Sequence, residues 1–331
     1  MKQKHAAAGK LRRFFIRLTL ILLGILIALF TPWNVWTLSS HPHPIQNYGE
    51  AIQRIEALRA TRQSEMNPDC LVQLLTHGKK VQHAIILVHG YTNCPAQFRE
   101  LGQELYDRGF NVLIAPMPHH GLANRLNDEQ GQLTAKELTV YADELVDLAH
   151  GLGEQVDMMG ISGGGVTTAW AAQNRSDIET AVVISPAFGY QQIPTRLTAP
   201  VMNIMLVLPV SFEWWDTDLK EKIGPSHAYP RYSKRGLAQF LKLGFAVQVK
   251  SWTTAPVAHR LIVVTNSNDT SVNNQLTSEV VKHWQQHEAN IELFEFPASL
   301  GLAHDLIDPS QPNQHPEIVY TQLIDLIMDE Q

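Results

Sequence analysis

From residue 81 onward, short apolar runs alternate with longer stretches of helical period, and this alternation limits the fold more than any other feature of the chain. "HAIILVHG", "FNVLIAP", "QVDMMG", "ETAVVISPA", "RLIVVTN" and "IELFEFP" read as strands. Between and after them, "PAQFRELGQELYDRG", "TAKELTVYADELVDLAHGLG", "GGGVTTAWAAQN" and stretches around 273–287 and 315–329 read as helices. Apolar strands separated by helices of this length predict an α/β domain, a mainly parallel sheet with helices on both faces. The rhythm breaks once, over about 187–258, a segment too long for one strand–helix unit. Its "APVMNIMLVLPVSFEWWD" reads as an inserted cap, with extra core packing as the alternative.

The first 80 residues follow different rules. Lys2, Lys4, Lys10, Arg12, Arg13 and Arg17 precede any acidic residue, and Leu18 to Trp36 carries no charge. A helix of that length, at about 1.5 Å per residue, matches a bilayer's hydrocarbon core. Trp33 and Trp36 close it where amphipathic rings prefer to sit, and the basic flank predicts a cytoplasmic N-terminus. Residues 1–36 are therefore read as a basic stub and transmembrane anchor. The rest of the chain is then extracytoplasmic, periplasmic in a bacterium with two membranes. A cleaved signal peptide and a buried soluble helix are the rivals; no A-x-A cleavage pattern follows the apolar run closely.

Residues 37–80 read as a polar tether, "TLSSHPHPIQNY", and a short helix with Ile52, Ile55 and Leu58 on one face. His41 and His43, flanked by prolines, make a poor metal site. Cys70 and Cys94 are the chain's two cysteines, and an oxidising compartment permits a bond between them. Two buried free thiols are the other reading. The net charge of −6, without a basic stripe in the folded part, argues against a nucleic-acid surface. No repeat of the solenoid or propeller kind is present.

"VDMMGISGGGVTTAW" packs four glycines and a serine into six positions. A phosphate loop needs a lysine after its last glycine, and a dinucleotide turn needs G-x-G-x-x-G; neither fits. G-x-S-x-G between strand and helix fits Gly160, Ser162 and Gly164, and holds the serine on a strained turn that needs small neighbours. A serine hydroxyl is a poor nucleophile without a base. The partners follow in the order acid, then histidine. Asp269, in "SNDTSV" after the strand "LIVVTN", is the acid, its alternative being a capping aspartate. His304, in "PASLGLAHDLIDP" after the last strand, is the base. His283 and His287 stand on a helix without the H-E-x-x-H order of a zinc peptidase, and His315 sits beside a proline. The oxyanion donors are the N–H of Gly163, after the nucleophile, and by position that of Tyr91 in "LVHGYTNCP". His89 precedes Ser162 and reads as a prop for that loop.

"LVHGYTNCPAQF", "MMGISGGGV", "NSNDTSV" and "LAHDLIDP", taken in order, resemble the serine α/β-hydrolase family, close to bacterial carboxylesterases and monoacylglycerol lipases. The resemblance spans about 81–330 and implies an esterase-type fold over 81–331, with Ser162 as nucleophile, His304 as base and acid, and Asp269 as its orienter. A Cys70–Cys94 bond would then pin the oxyanion loop to the upstream segment. The expected activity is hydrolysis of acyl or lipid-like carboxylic esters at the membrane, with no metal or diffusible cofactor required. An exported peptidase or acyltransferase, and a silent ligand-binding domain, are the alternatives. The apolar cap residues Met202, Met205, Trp214 and Trp215 suit an acyl or aromatic group.

Overall fold

The computed structural model describes residues 2–312 and 314–328, with residues 2–11 described by their backbone alone. Met1, the side chains of Lys2, Lys4 and Lys10, and residues 329–331 at the end of the expected last helix and hydrolase domain lie outside the described residues.

Helix α1 (Lys2–Phe30) and α2 (Tyr48–Ala60) precede the sheet. Then follow β1 (Gln73–Leu75), β2 (Val81–Val88), α3 (Arg99–Asp107), β3 (Asn111–Ile114), α4 (Ala135–Ala149), β4 (Gly153–Ile161), α5 (Gly163–Asn174) and β5 (Thr180–Ile184). After a long excursion come β8 (Arg260–Asn266), α8 (Asn274–Gln286), β9 (Ile291–Phe296) and α9 (Pro316–Met328). The excursion itself holds α6 (Thr198–Val207), a small antiparallel pair of β6 (Phe212–Trp214) and β7 (Arg231–Ser233), and α7 (Lys234–Ser251). The main sheet runs β1-β3-β2-β4-β5-β8-β9, parallel except for the antiparallel edge strand β1.

Why the strand runs are apolar throughout is visible in β2. Ala84, Ile86 and Val88 face the layer built by α2, α4, α5, α7 and α8, whereas Ile85 and Leu87 face α3 and α9. Side chains alternate across a strand, so a sheet covered on both faces needs hydrophobes at every position. The same two-sided burial recurs in β4, β5 and β8. Helix α5 is buried from Gly163 to Gln173, which explains its lack of a polar stripe. The chain runs from β2 to β3 on one side and then returns to β4 on the other, so the sheet's order reverses between β2 and β4. In open parallel sheets a crevice forms there, beyond the strands' C-terminal ends.

The segment between β5 and β8 has two parts. Helix α7 lies on α5 and delivers Phe240, Leu243 and Val247 to the main core, serving as the crossover helix between β5 and β8. Ahead of it, α6 and the β6–β7 pair form the outer layer, joined to α7 by Met202 against Ala238 and Leu241.

The tether is strapped to the domain. The Ser40 hydroxyl and His41 N–H both donate to Asp143, His43 N–H donates to Asp147 (2.9 Å), and Trp170 Nε1–H donates to Leu38 O (3.0 Å). Behind these carboxylates stands Arg175, whose side chain is 0% exposed and pairs with Asp143 (3.2 Å), Asp147 (2.7 Å) and Asp177 (2.7 Å). Arg175→Ala leaves these acids without their counter-charge. It is expected to cost about 3–5 kcal/mol, read as a clear fall in melting temperature in detergent. An unchanged melting temperature would show that the arginine does not hold strap and core together.

Candidate active site

Strand β4 delivers the chain to Ser162 with φ 58° and ψ −115°, a conformation that L-residues avoid and that surrounding structure must enforce. The enforcement is steric and hydrogen-bonded. Ser162 N–H donates to Ile184 O (2.9 Å) on β5, while Ser162 O accepts from Val166 N–H (3.0 Å) and Ala187 N–H (3.1 Å). A Cβ at Gly164 would run into the backbone oxygens of Val88 and His89 at the end of β2, and one at Gly160 into Gly164 O. The helix start thus folds directly over the neighbouring strand, an approach only glycine allows. The additional glycine, Gly163, has its own reason: a Cβ there would stand 2.8 Å from the Phe240 ring.

The loop after β2 lies beside this turn, since a Cβ on Gly90 would be 3.6 Å from Ser162 Cβ. His89 holds the loop. Its Nδ1–H donates to Gly90 O (2.8 Å), and its Nε2 accepts from Met117 N–H (2.9 Å). Burial, helped by nearby His120, pushes its pKa down to about 3, so the ring is neutral. Gln97 Oε1 takes the Gly90 N–H (2.7 Å), and the Tyr91 hydroxyl bonds backbone groups of Ser233. Among the described residues, the N–H groups of Tyr91 and Gly163 have no protein acceptor. Cys70 and Cys94 are joined (S–S 2.09 Å), linking the turn before β1 to the end of this loop.

Asp269 stands in the loop after β8 and His304 in the loop after β9. His304 Nε2 lies 2.9 Å from Ser162 Oγ, and its Nδ1 lies 2.7 Å from Asp269 Oδ2. The three side chains named by chain order therefore meet in one hydrogen-bonded line. Asp269 Oδ1 accepts from Ser271 N–H (2.9 Å) and Val272 N–H (3.0 Å). Burial alone would raise the Asp269 pKa, but His304 and these N–H groups outweigh it and hold the carboxyl below its ordinary value. Burial alone would lower the His304 pKa. The Asp269 hydrogen bond and charge, with Asp305 adding to them, raise it above histidine's ordinary 6.5.

Several residues that sequence reasoning passed over position this line. Asn266 Nδ2 donates to Leu302 O and Ala303 O (3.0 Å each), setting the His304 loop against the end of β8. Asn93 Nδ2 donates to Asp305 Oδ2 (3.1 Å), tying the loop after β2 to the residue after His304. From the outer layer, Tyr229 N–H donates to Thr92 O (2.7 Å), Trp215 Nε1–H to Thr92 Oγ1 (3.1 Å), and His227 Nε2 meets Asp308 (2.8 Å). No sequence spacing announces these pairs, because each joins segments far apart in the chain. Of the expected cap residues, Met202 is turned inward onto α7, whereas Trp215 is 47% exposed. Among the described residues no group of His, Cys, Asp and Glu is arranged to hold a metal ion.

The tight turn makes a steric prediction. Gly164→Ala puts a methyl group into the end of β2, and the variant should lose several degrees of melting temperature together with any serine reactivity. A stable, reactive alanine variant would mean that the turn can shift away from β2.

Solved structures share this architecture at low sequence identity. A structure described with LipS and LipT, two metagenome-derived lipolytic enzymes, has a TM-score of 0.61 at 16% identity, covering 80% of this chain and 100% of that one. The monoacylglycerol lipase of Paleococcus ferrophilus gives 0.59 at 18%, covering 78% and 98%. A soluble variant of monoglyceride lipase from Saccharomyces cerevisiae, in complex with a substrate analogue, gives 0.58 at 14%, covering 78% and 90%. At such identities the likeness establishes the fold. No curated protein matches the sequence. A family model described as serine aminopeptidase, S33 matches residues 79–307, which include the whole line from Tyr91 to His304, and the chain belongs to that family of α/β-hydrolases.

Proposed function

We propose that this hydrolase is a membrane-tethered serine enzyme that cleaves carboxylic esters through Ser162, His304 and Asp269. The observation that carries the reading is the continuous line from Ser162 Oγ through His304 to Asp269, at 2.9 Å and 2.7 Å. In this reading Ser162 Oγ attacks the ester carbonyl while His304 Nε2 takes its proton. Asp269 holds the Nδ1–H tautomer and stabilises the imidazolium. The free N–H groups of Gly163 and Tyr91 donate to the oxyanion. His304 then returns the proton to the leaving alcohol, leaving an acyl group on Ser162. Water, deprotonated by His304, attacks that acyl group and releases the acid.

Esters are preferred on two grounds. Structural neighbours include lipolytic enzymes and monoacylglycerol lipases. The family's description names an aminopeptidase, whose substrate brings a free ammonium group that needs an ionised carboxylate near the serine. The acid beside the base, Asp305, is a poor partner. Asn93 and the N–H groups of Ile307 and Asp308 occupy its oxygens. The tether belongs to the same proposal. The apolar stretch Arg12–Thr37 is long enough to cross a bilayer or to act as a signal sequence, and no residue of its most apolar 18-residue window is buried in the protein. We read it as the uncleaved anchor, residues 37–80 as strap and helix, and 81–331 as the hydrolase domain with its cap. The Cys70–Cys94 bond steadies the oxyanion loop.

A fluorophosphonate probe should label the full-length chain in membranes and leave Ser162→Ala unlabelled. A folded wild-type chain that resists the probe would count against the enzyme reading. An ester panel run beside aminoacyl amides then separates esterase from aminopeptidase, and preferential amide turnover would overturn the ester assignment.

The pH dependence has a definite sign. His304 works as a base only when neutral, and Asp269 raises its pKa, so kcat/KM should climb with pH through a value above the ordinary 6.5. Asp269→Asn should cut kcat by about 10³–10⁴-fold and move the remaining limb to lower pH. A limb unmoved by that substitution would assign the titration to another group.

A further inference from the structure

Beyond its first residue, the buried Thr198, helix α6 is apolar on every side except for the buried Asn203, in "TAPVMNIMLV". A buried amide is costly unless its polar atoms are bonded. Asn203 Nδ2 donates to Leu29 O (2.8 Å) and Thr31 O (2.8 Å), with Ala28 O at 3.3 Å, while its Oδ1 has no partner among the described residues. These carbonyls lie at the C-terminal end of α1, where the last turn of a helix leaves its acceptors unsatisfied. Asn203 therefore caps the apolar N-terminal helix from a different part of the chain.

The two sides of α6 have different surroundings. Met202, with Met205 and Leu206 beside it, packs towards Ala238 and Leu241 of α7. Towards its end and beyond, Ile204 is 43% exposed, Val207 66%, Leu208 54% and Val210 41%, with Arg235 of α7 donating to Leu208 O (2.7 Å). A helix that is apolar all round belongs inside protein or against lipid, and a run of this kind on a surface marks an interaction site.

We propose that α6 and the residues after it lie in the lipid interface beside α1, so that the cap as well as the N-terminal helix is bound to the bilayer. The proposal rests on reading α1 as the membrane anchor. Its occupant follows from position. The anchor's last turn marks the level where hydrocarbon gives way to headgroups, and Asn203 fixes α6 to that turn. Trp33 and Trp36 stand next to it in the chain, the latter 75% exposed, at the depth such rings favour. The strap from Leu38 onward begins immediately after, so the domain cannot swing its cap away from the membrane. On its other side α6 meets α7, whose Phe240 ring lies 5.1 Å from that of Tyr91. One helix thus separates the proposed lipid contact from the oxyanion loop.

The test uses the full chain in vesicles of phosphatidylcholine and phosphatidylglycerol. Nitroxide labels are placed on Val207→Cys and, as reference, on Leu293→Cys, which is 54% exposed on β9. Because Cys70 and Cys94 are bonded, the introduced thiol is the one free cysteine among the described residues. The label at 207 should be accessible to oxygen and shielded from a water-soluble nickel chelate, and the label at 293 should show the reverse. Equal nickel access at both positions overturns the proposal. Shielding from both reagents marks a protein partner on this face and overturns it as well. Flotation of the vesicles after an alkaline wash tests the anchor separately: a chain that does not float removes both the anchor reading and this one. In a second readout, the pair Val207→Ser and Leu208→Ser should slow turnover of a long-chain monoacylglycerol in vesicles about fivefold or more, leaving a soluble short-chain ester unaffected. Equal loss on both substrates would mean that these side chains act on the fold rather than on lipid.

Discussion

The close approach of the β4–α5 turn to the end of β2 is the constraint on which the rest of the site depends. It places a serine in a backbone conformation that costs of order 1–3 kcal/mol, and no side-chain adjustment can relieve that cost. The parallel register of Val88 opposite Gly160 and the burial of α5 hold the turn from below. Gly164 lets the helix start rest on Val88 O, and Phe240 closes over Gly163 from the α7 side. A hydroxyl held this way projects from a fixed point, and the two loops bearing Asp269 and His304 have only to reach it.

Those loops are not independent of the outer layer. Trp215 and Tyr229 bond to Thr92, at φ 66° in the loop after β2, while His227 bonds to Asp308, four residues beyond His304. Asn93 and Asp305 join the two loops to each other. The cap is thus fastened both to the loop carrying the Tyr91 N–H and to the loop carrying the imidazole. A displacement of residues 215–229 would disturb the loops of Tyr91 and His304 together, so under the proposed mechanism oxyanion donor and base are set by the same contacts.

Much of this was legible before the structure. The strand runs were readable because two-sided burial leaves no polar position in them. That Ser162, Asp269 and His304 would meet was readable because each follows a strand in a fixed chain order. The sterics behind Gly163 were not, since they depend on an aromatic ring 77 positions away, Phe240. Strand β1, with three residues, is too short to show a period. Asp143 and Asp147 look like the solvated face of α4; only the fold brings Arg175 and the strap to them. Asn203 sits in an apolar run whose pattern says nothing of its partners on α1. What escaped the sequence was pairing between distant segments, whereas local period and chain order carried over.

The order of the site residues along the chain has a consequence for biogenesis. Ser162 is made first, Asp269 later and His304 last, 142 residues after the serine. A nascent chain can already form the turn over β2 while the imidazole is still unsynthesised. Until that loop is threaded and folded, the serine has no group to accept its proton. In the proposed mechanism the pair that would activate the serine is therefore complete only once the last loop has folded against the first turn.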